Sequence, residues 1–264
     1  MEYGFLGCGN MGGAIAKALA KTTKDILLTS RSDTAEKLAA QLGCQHTGSN
    51  EELIRTCDVV FLAVKPQMAA EVLAPLVPVL QEHKPLLVSM AAGLTLLRIE
   101  EMCGGALPIL RIMPNTPVAI GQGMTTYCHN ALVEKGQMDK LLADLCHAGR
   151  FDPVAEAEMD AATAAAGCTP AYAYMFIDAI AQGATACGLP REKALQYAAA
   201  AVSGAAQLLM ESGQDPTALR DAVCSPGGST IAGVRALEEK DFQDTVKNAI
   251  CAAYQRNVEL GKQK

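Results

Sequence analysis

The sequence predicts an α/β protein in two parts, a doubly wound parallel sheet over residues 1–154 and an all-helical domain over residues 155–264. Through the first part, short apolar runs alternate with helical patterns, and parallel strands need connections of about helix length to return across a sheet. Beyond about Val154 the strand-like runs stop and long Ala-rich segments take over. The chain has 264 residues, 50% apolar and 19% charged, which is enough for two modest domains that each bury a core.

Taken in order, the strand candidates are residues 3–6, 26–29, 59–64, 86–90, 107–113 and 124–128, all of them short apolar runs. The helical patterns between them cover 11–21, 34–42, 50–55, 68–80, 96–102 and 132–147. Turn chemistry separates the elements, with Lys65-Pro66 after the third run and Gly104-Gly105 before the fifth. Asp33-Thr34-Ala35-Glu36 reads as a capping box for the second helix. In the second part, helices are expected at 155–166, 171–187, 191–212, 216–223, 230–239 and 242–261. The stretches 171–186 and 194–210 are apolar on nearly every face, whereas a helix covering one small domain keeps a polar stripe toward water. The same domain of a second subunit is the expected cover, because closed two-fold association is the commonest oligomer symmetry.

Composition narrows the function. A formal charge of −6 with no dense basic run removes the electrostatic footprint of a nucleic-acid binder, so any anionic ligand must be held by local groups. Residues 194–210 are uncharged for about the minimum length of a membrane span, yet Gln196, Ser203, Gly204 and Gln207 make a buried soluble helix the better reading, with no membrane partner. The ten cysteines are scattered singly, without C-x-x-C pairs, and read as reduced thiols, mostly buried fillers, of a cytoplasmic protein. The N-terminus runs into an apolar strand with no basic leader, so no export signal is expected. His46, His83, His129 and His147 show no metal-ligand spacing, and no metal is expected.

Gly7-Cys8-Gly9-Asn10-Met11-Gly12 follows the first strand and opens a helix. In that position the first glycine permits a tight turn, the second lets a pyrophosphate approach the backbone, and the third allows close helix–strand packing. The helix start adds free N–H groups and about half a positive charge, so a dinucleotide is the expected ligand. The second strand ends in Thr29-Ser30-Arg31-Ser32, where a guanidinium fork and hydroxyls suit a 2′-phosphate. Asp33 lies near the place of a ribose-binding acid, but the capping box would occupy it. NADPH is therefore preferred, with NADH as the alternative.

A second glycine loop, Cys224-Ser225-Pro226-Gly227-Gly228-Ser229-Thr230, breaks one helix and starts another, which makes a second anion seat. On local sequence alone, Thr230 reads as an N-cap. Two further loops follow apolar runs, Ala63-Val64-Lys65-Pro66-Gln67 and Arg111-Ile112-Met113-Pro114-Asn115-Thr116-Pro117, and ligands of open α/β sheets bind outside the carboxyl ends of strands. Each residue also has a bland reading: Lys65 as a surface charge, Asn115 as a turn residue, Arg111 as an ion-pair partner.

Together these segments resemble the pyrroline-5-carboxylate reductase family across nearly the whole chain. The carriers are F-L-G-C-G-N-M-G at the start, L-A-V-K-P-Q at 62–67, S-M-A-A-G at 89–93, R-I-M-P-N-T-P at 111–117 and D-A-V-C-S-P-G-G-S-T-I-A-G at 221–233. The resemblance implies an N-terminal Rossmann domain and a C-terminal helical dimerisation domain. It also implies NAD(P)H-dependent reduction of 1-pyrroline-5-carboxylate to L-proline, and intertwined homodimers that some members build into decamers of five dimers. Carried over, Leu6, Gly7, Cys8, Gly9, Asn10 and Met11 hold the pyrophosphate, Ser30 and Arg31 lie at the adenosine ribose, and Asn50 contacts the cofactor. Ala63, Val64, Lys65, Pro66, Ala91 and Gly93 line the nicotinamide side, with Asn115 also assigned to the cofactor. Ser225, Gly227, Gly228, Ser229 and Thr230 bind the substrate, and Thr230 is the catalytic hydroxyl. One departure stands at Gly167-Cys168-Thr169-Pro170, where the family usually reads G-S-G-P, and it bears on the local helix start.

Two other functions compete on sequence alone. A relative of the 3-hydroxyacid dehydrogenases would resemble its family in using a core-helix lysine, which stretches 171–186 and 194–210 lack. A catalytically silent cofactor sensor would need only the first glycine loop.

Overall fold

In the computed structural model, which describes residues 2–262, alternate side chains of the central strands enter two separate cores. The strands are β1 (Tyr3–Leu6), β2 (Ile26–Thr29), β3 (Gln45–His46), β4 (Val59–Leu62), β5 (Leu86–Ser89), β6 (Ile109–Met113), β7 (Gly123–His129) and β8 (Gly149–Pro153). They form one sheet in the order β3-β2-β1-β4-β5-β6-β7-β8. Tyr3, Phe5, Val59 and Phe61 face one core, while Leu6, Val60 and Leu62 face the other, as the two-residue strand period requires. Phe5 and Phe61 stack with ring centroids 4.3 Å apart.

Helices α1 (Asn10–Leu19), α2 (Thr34–Leu42) and α7 (Lys135–Asp144) cover the first core. The second is covered by α3 (Asn50–Thr56), α4 (Ala69–Leu73), α5 (Val77–His83) and α6 (Leu96–Met102). After the sheet come α8 (Met159–Ala162), α9 (Thr169–Ala186), α10 (Arg191–Ser212), α11 (Pro216–Ala222), α12 (Ser229–Glu238) and α13 (Phe242–Lys262). The predicted doubly wound sheet with a helical C-terminal part is the observed fold class.

Three local expectations need correction. The single helix at 68–80 is broken into α4 and α5 with 3₁₀ turns, because Pro66, Pro75 and Pro78 lack the N–H that a continuous helix needs. The sheet is not wholly parallel: β7 pairs antiparallel with β6, and β8 parallel with β7. Only a 3₁₀ turn at Thr116–Ile120 and a few flanking residues separate β6 from β7, too short a connection for a helical crossover. Finally, β3 and β8 are edge strands that carry no apolar run; β3 is exposed, and β8 holds Arg150, Asp152 and Pro153.

The chain divides into two compact units. One contains the chain up to Cys168 together with the part from Ala253 onward, and the other is Thr169–Ala252. Within the first, the Arg111 side chain is 2% exposed and places Nη1 3.0 Å from Glu156 Oε1. The same carboxylate oxygen accepts the N–H of Leu96 at 2.6 Å, at the start of α6. Within the second, α9 and α10 pack through Ala181, Ala194 and Ala198. Their other faces stay uncovered in one chain, with Tyr174 61%, Met175 72%, Tyr197 60% and Met210 59% exposed. At the sequence departure, a π-helical turn occupies Thr163–Gly167, Cys168 bends the chain, and α9 starts at Thr169 with Pro170 in its first turn. No described helix is long and apolar enough to cross a membrane.

All ten cysteines are free thiols, four of them buried and three exposed. Burial pushes the thiols of Cys8, Cys57 and Cys103 up to about 12 and that of Cys128 up to about 11, so all four stay protonated near neutral pH. Iodoacetamide treatment of the folded protein at pH 8 is expected to leave these four unmodified. Peptide mass mapping before and after denaturation checks this, and labelling of Cys103 in the folded state would contradict it.

Candidate active site

Loops at the carboxyl ends of the parallel strands remain hydrogen-bonded to their neighbours as they leave the sheet. The N–H of Gly7 donates to Thr29 O at 2.9 Å, that of Ala63 to Leu6 O at 2.9 Å, and that of Met90 to Leu62 O at 3.3 Å. This edge includes the point between β1 and β4 where the winding of the sheet reverses, the usual ligand crevice of open α/β sheets. A cleft of about 1170 Å³ opens there. Its walls bring together Leu6, Gly7, Cys8, Gly9 and Asn10 with Ser30 and Arg31, Asn50, and Ala63, Val64 and Lys65. The charged residues along it are Lys17, Arg31, Lys37, Lys65 and the single acid Asp33, so a chain of net charge −6 presents a locally basic cleft.

The three glycines of the first loop have three different physical grounds. Gly7 has φ +101°, a conformation that side chains disfavour. A methyl at Gly12 would lie 2.7 Å from Ala63 Cβ and 2.8 Å from Gly7 O, so α1 can approach the β4 loop only without a side chain there. Around Gly9 there is open space, since a methyl would meet nothing within 4 Å. Protein packing does not require glycine at position 9, whereas a ligand lying against the backbone would. Gly9 is also the N-cap of α1 and supplies no side-chain cap, which leaves the helix mouth to an anion.

At the β2 end of the cleft the capping box does not form. The Asp33 side chain makes no cap; its carboxylate lies 2.5 Å from Lys37 Nζ, and this hydrogen bond raises the ammonium pKa. Instead Ser30 Oγ accepts the N–H of Ala35 at 2.9 Å, because its position just before the turn lets it reach the orphan donor first. Arg31 extends to 3.3 Å from Met68 Sδ, across the cleft opening. Thr29 Oγ1 donates to Asn50 Oδ1 at 3.0 Å, so the amide's NH₂ end is the one left for a ligand. Thr29, Lys37 and Met68 line the cleft but carry no sequence signature of their own, since the β2 register, the turn of α2 and the 3₁₀ turn after β4 bring them there.

The remaining predicted cofactor residues lie outside the cleft lining. Met11 and Pro66 follow lining residues directly in the chain. Ala91 and Gly93 belong to the loop between β5 and α6, where Gly93 has φ +78°. Asn115 is buried, and both ends of its amide are engaged: Nδ2 donates to Ala166 O at 3.1 Å, and Oδ1 accepts the N–H of Met124 at 2.9 Å.

The second loop lies in the other unit. Ser225-Pro226-Gly227-Gly228 forms a β-turn closed by the Gly228 N–H to Ser225 O at 3.0 Å, with Pro226 at its second position and Gly227 at φ +73° in its third. A methyl at Gly228 would come within 2.6 Å of Ser225 Oγ. Gly228, not Thr230, is the N-cap of α12, and no side chain caps it. Ser229 and Thr230 are therefore the first two helical residues, and both are exposed.

Residues 156–260 match the family model for pyrroline-5-carboxylate reductase dimerisation, and residues 2–93 match one for NADP oxidoreductase, coenzyme F420-dependent. Among curated proteins, the chain is 38% identical to a pyrroline-5-carboxylate reductase of Escherichia coli K12, over 99% of this chain and 98% of that one. A soybean (Glycine max) protein of the same name is 39% identical, covering 97% and 95% of the two chains. Among solved structures, the Plasmodium falciparum pyrroline carboxylate reductase with NADP bound superposes with a TM-score of 0.90 at 34% identity, covering 99% and 98%. A 1-pyrroline-5-carboxylate reductase from Streptococcus pyogenes gives 0.90 at 36% identity, covering 98% of each chain.

The glycine geometry makes two variants separable. Gly12→Ala is expected to lower stability by about 1–3 kcal/mol, the usual cost of overpacking, in urea unfolding. Gly9→Ala is expected to leave the urea midpoint unchanged while weakening NADPH binding, followed by cofactor fluorescence. Equal loss of stability in both variants would contradict the separate roles.

Proposed function

The chain belongs to the pyrroline-5-carboxylate reductase family, and we propose from that premise that it reduces 1-pyrroline-5-carboxylate to L-proline with NADPH. The observation that carries the proposal is a pair of uncapped helix mouths, α1 behind Gly9 and α12 behind Gly228, each reached through a glycine turn. One suits a pyrophosphate and the other a carboxylate, the anionic groups of the two reactants.

NADPH, when bound, supplies the hydride that the C=N carbon of the substrate accepts. The protein's share is positioning. Backbone groups of Leu6, Gly7, Cys8, Gly9, Asn10 and Met11 hold the pyrophosphate, and Ser30 and Arg31 take the 2′-phosphate, with Asp33 already neutralised by Lys37. Asn50 and Asn115 complete the cofactor set, Asn115 by bracing the site, since its amide is committed to Ala166 and Met124. Ala63, Val64, Lys65, Pro66, Ala91 and Gly93 form the nicotinamide wall. Ser225, Gly227, Gly228 and Ser229 seat the carboxylate, the N–H groups of Gly227 and Ser229 and the serine hydroxyls as donors and Gly228, whose own N–H closes the turn, as its backbone support. Thr230 hydrogen-bonds the ring nitrogen and is the catalytic hydroxyl. An iminium accepts hydride more readily than a neutral imine, so a donor at that nitrogen suffices without a charged acid.

Residues 1–154 are the nucleotide-binding domain in this assignment, and 155–264 the domain of dimerisation and substrate binding. The uncovered apolar faces of α9 and α10 fit a homodimer, and a decamer of five dimers is the larger assembly considered. A cytoplasmic location accords with ten unpaired cysteines.

NADPH consumption is expected with 1-pyrroline-5-carboxylate, and no NADP+ reduction with 3-hydroxyacids; the reverse outcome would overturn the assignment. Thr230→Ala is expected to lower kcat on the order of 10²-fold, comparable to removing one oriented donor, with Thr230→Ser retaining most activity. Sedimentation is expected to give at least twice the 27.6 kDa chain mass.

A further inference from the structure

The loop between β5 and α6 is held at both ends. At its start, the Ala91 N–H donates to Ser89 Oγ at 3.3 Å; at its end, the Leu96 N–H donates to Glu156, which Arg111 fixes from the neighbouring strand. Its middle is closed only on itself, by the Leu94 N–H to Ala91 O at 3.4 Å, and there the chain from Ala253 onward meets it. A methyl at Gly261 would lie 2.7 Å from Gly93 O, and one at Gly93 would lie 3.0 Å from both Gly261 N and Leu260 Cβ. Two glycine backbones are thus in direct contact, and neither position has room for a side chain. One helical turn earlier, Asn257 is buried and its Nδ2 donates to Asp160 O at 3.1 Å, so this end of α13 is anchored.

We propose that the last turn of α13, through Gly261 and the Asn257 anchor, is a positioning element for the nicotinamide: it sets the depth of Gly93 and with it the hydride-transfer distance. The proposal rests on Ala91 and Gly93 lining the nicotinamide, as assigned above. Transfer needs reacting atoms about 3–3.5 Å apart, and a displacement near 1 Å can cost about 10²-fold in rate. A methyl at position 261 must push the Gly93 carbonyl by several tenths of an ångström, so Gly261→Ala should lower kcat by roughly 5- to 10-fold, and Gly261→Val by more.

The test uses the full chain with Gly261→Ala, Gly261→Val and Gly93→Ala, measuring kcat, both KM values, the thermal midpoint and the isotope effect with 4-deuterated NADPH. Expected for both Gly261 variants are a lower kcat and a larger isotope effect, alongside whatever fall in thermal midpoint the overpacked contact causes, with the KM for 1-pyrroline-5-carboxylate unchanged. A merely structural role would lower the midpoint without raising the isotope effect, and would overturn the proposal. Wild-type kcat and isotope effect in Gly261→Val, with Gly93→Ala impaired, would overturn the proposal alone. Wild-type behaviour of Gly93→Ala would overturn the assignment of the loop to the nicotinamide, and the proposal with it.

Discussion

The lateral hydrogen bonds at the carboxyl edge of the sheet are the constraint on which the site depends. Gly7, Ala63 and Met90 lie on three loops far apart in sequence, yet each is tied by its own N–H to the last carbonyl of an adjacent strand. Once the strands pair in register, the loops have no independent choice of position. The glycine turn, the Lys65 loop and the Gly93 loop therefore start from one edge, and a rigid sheet, not loop flexibility, sets their spacing.

Electrostatics follow the same economy. The chain as a whole is acidic, and the cleft becomes basic because β2 and the start of α2 collect Arg31 and Lys37, with Lys17 arriving from α1 and Lys65 from the β4 loop. The Asp33–Lys37 pair matters less for stability, since both groups are exposed, than for cancelling the one acid that would repel a phosphate. Helix mouths with no side-chain cap, at Gly9 and Gly228, add their dipoles and backbone donors to the pattern.

The strand runs were legible because burial on both sheet faces demands continuous apolar residues, and that demand is strong at β1, β4 and β5. It vanishes at the edges. Gln45–His46 and Gly149–Pro153 pair on one side only, need no apolar run, and so gave no signal. The antiparallel β7 was hidden because strand composition does not encode direction; only the short connection after Met113 does. In the site, glycine carries information because its absence of a side chain is a steric requirement, as at Gly12 against Ala63. Asp33 misled because two acceptors, Asp33 and Ser30, compete for the same helix start, and sequence spacing does not say which reaches it. Thr29 and Asn257 act through partners 21 and 97 residues away, and no local pattern marks them.

The first unit is discontinuous: its main body ends at Cys168, and its last piece starts at Ala253. Translation delivers these pieces in order, with the whole second unit made in between. The sheet can pair and bury both cores while the ribosome is still adding helices, but the contact on Gly93 must wait until α13 has emerged. A nascent chain can thus reach a nucleotide-binding fold well before that surface of the loop is covered, which gives early products shape ahead of their final precision.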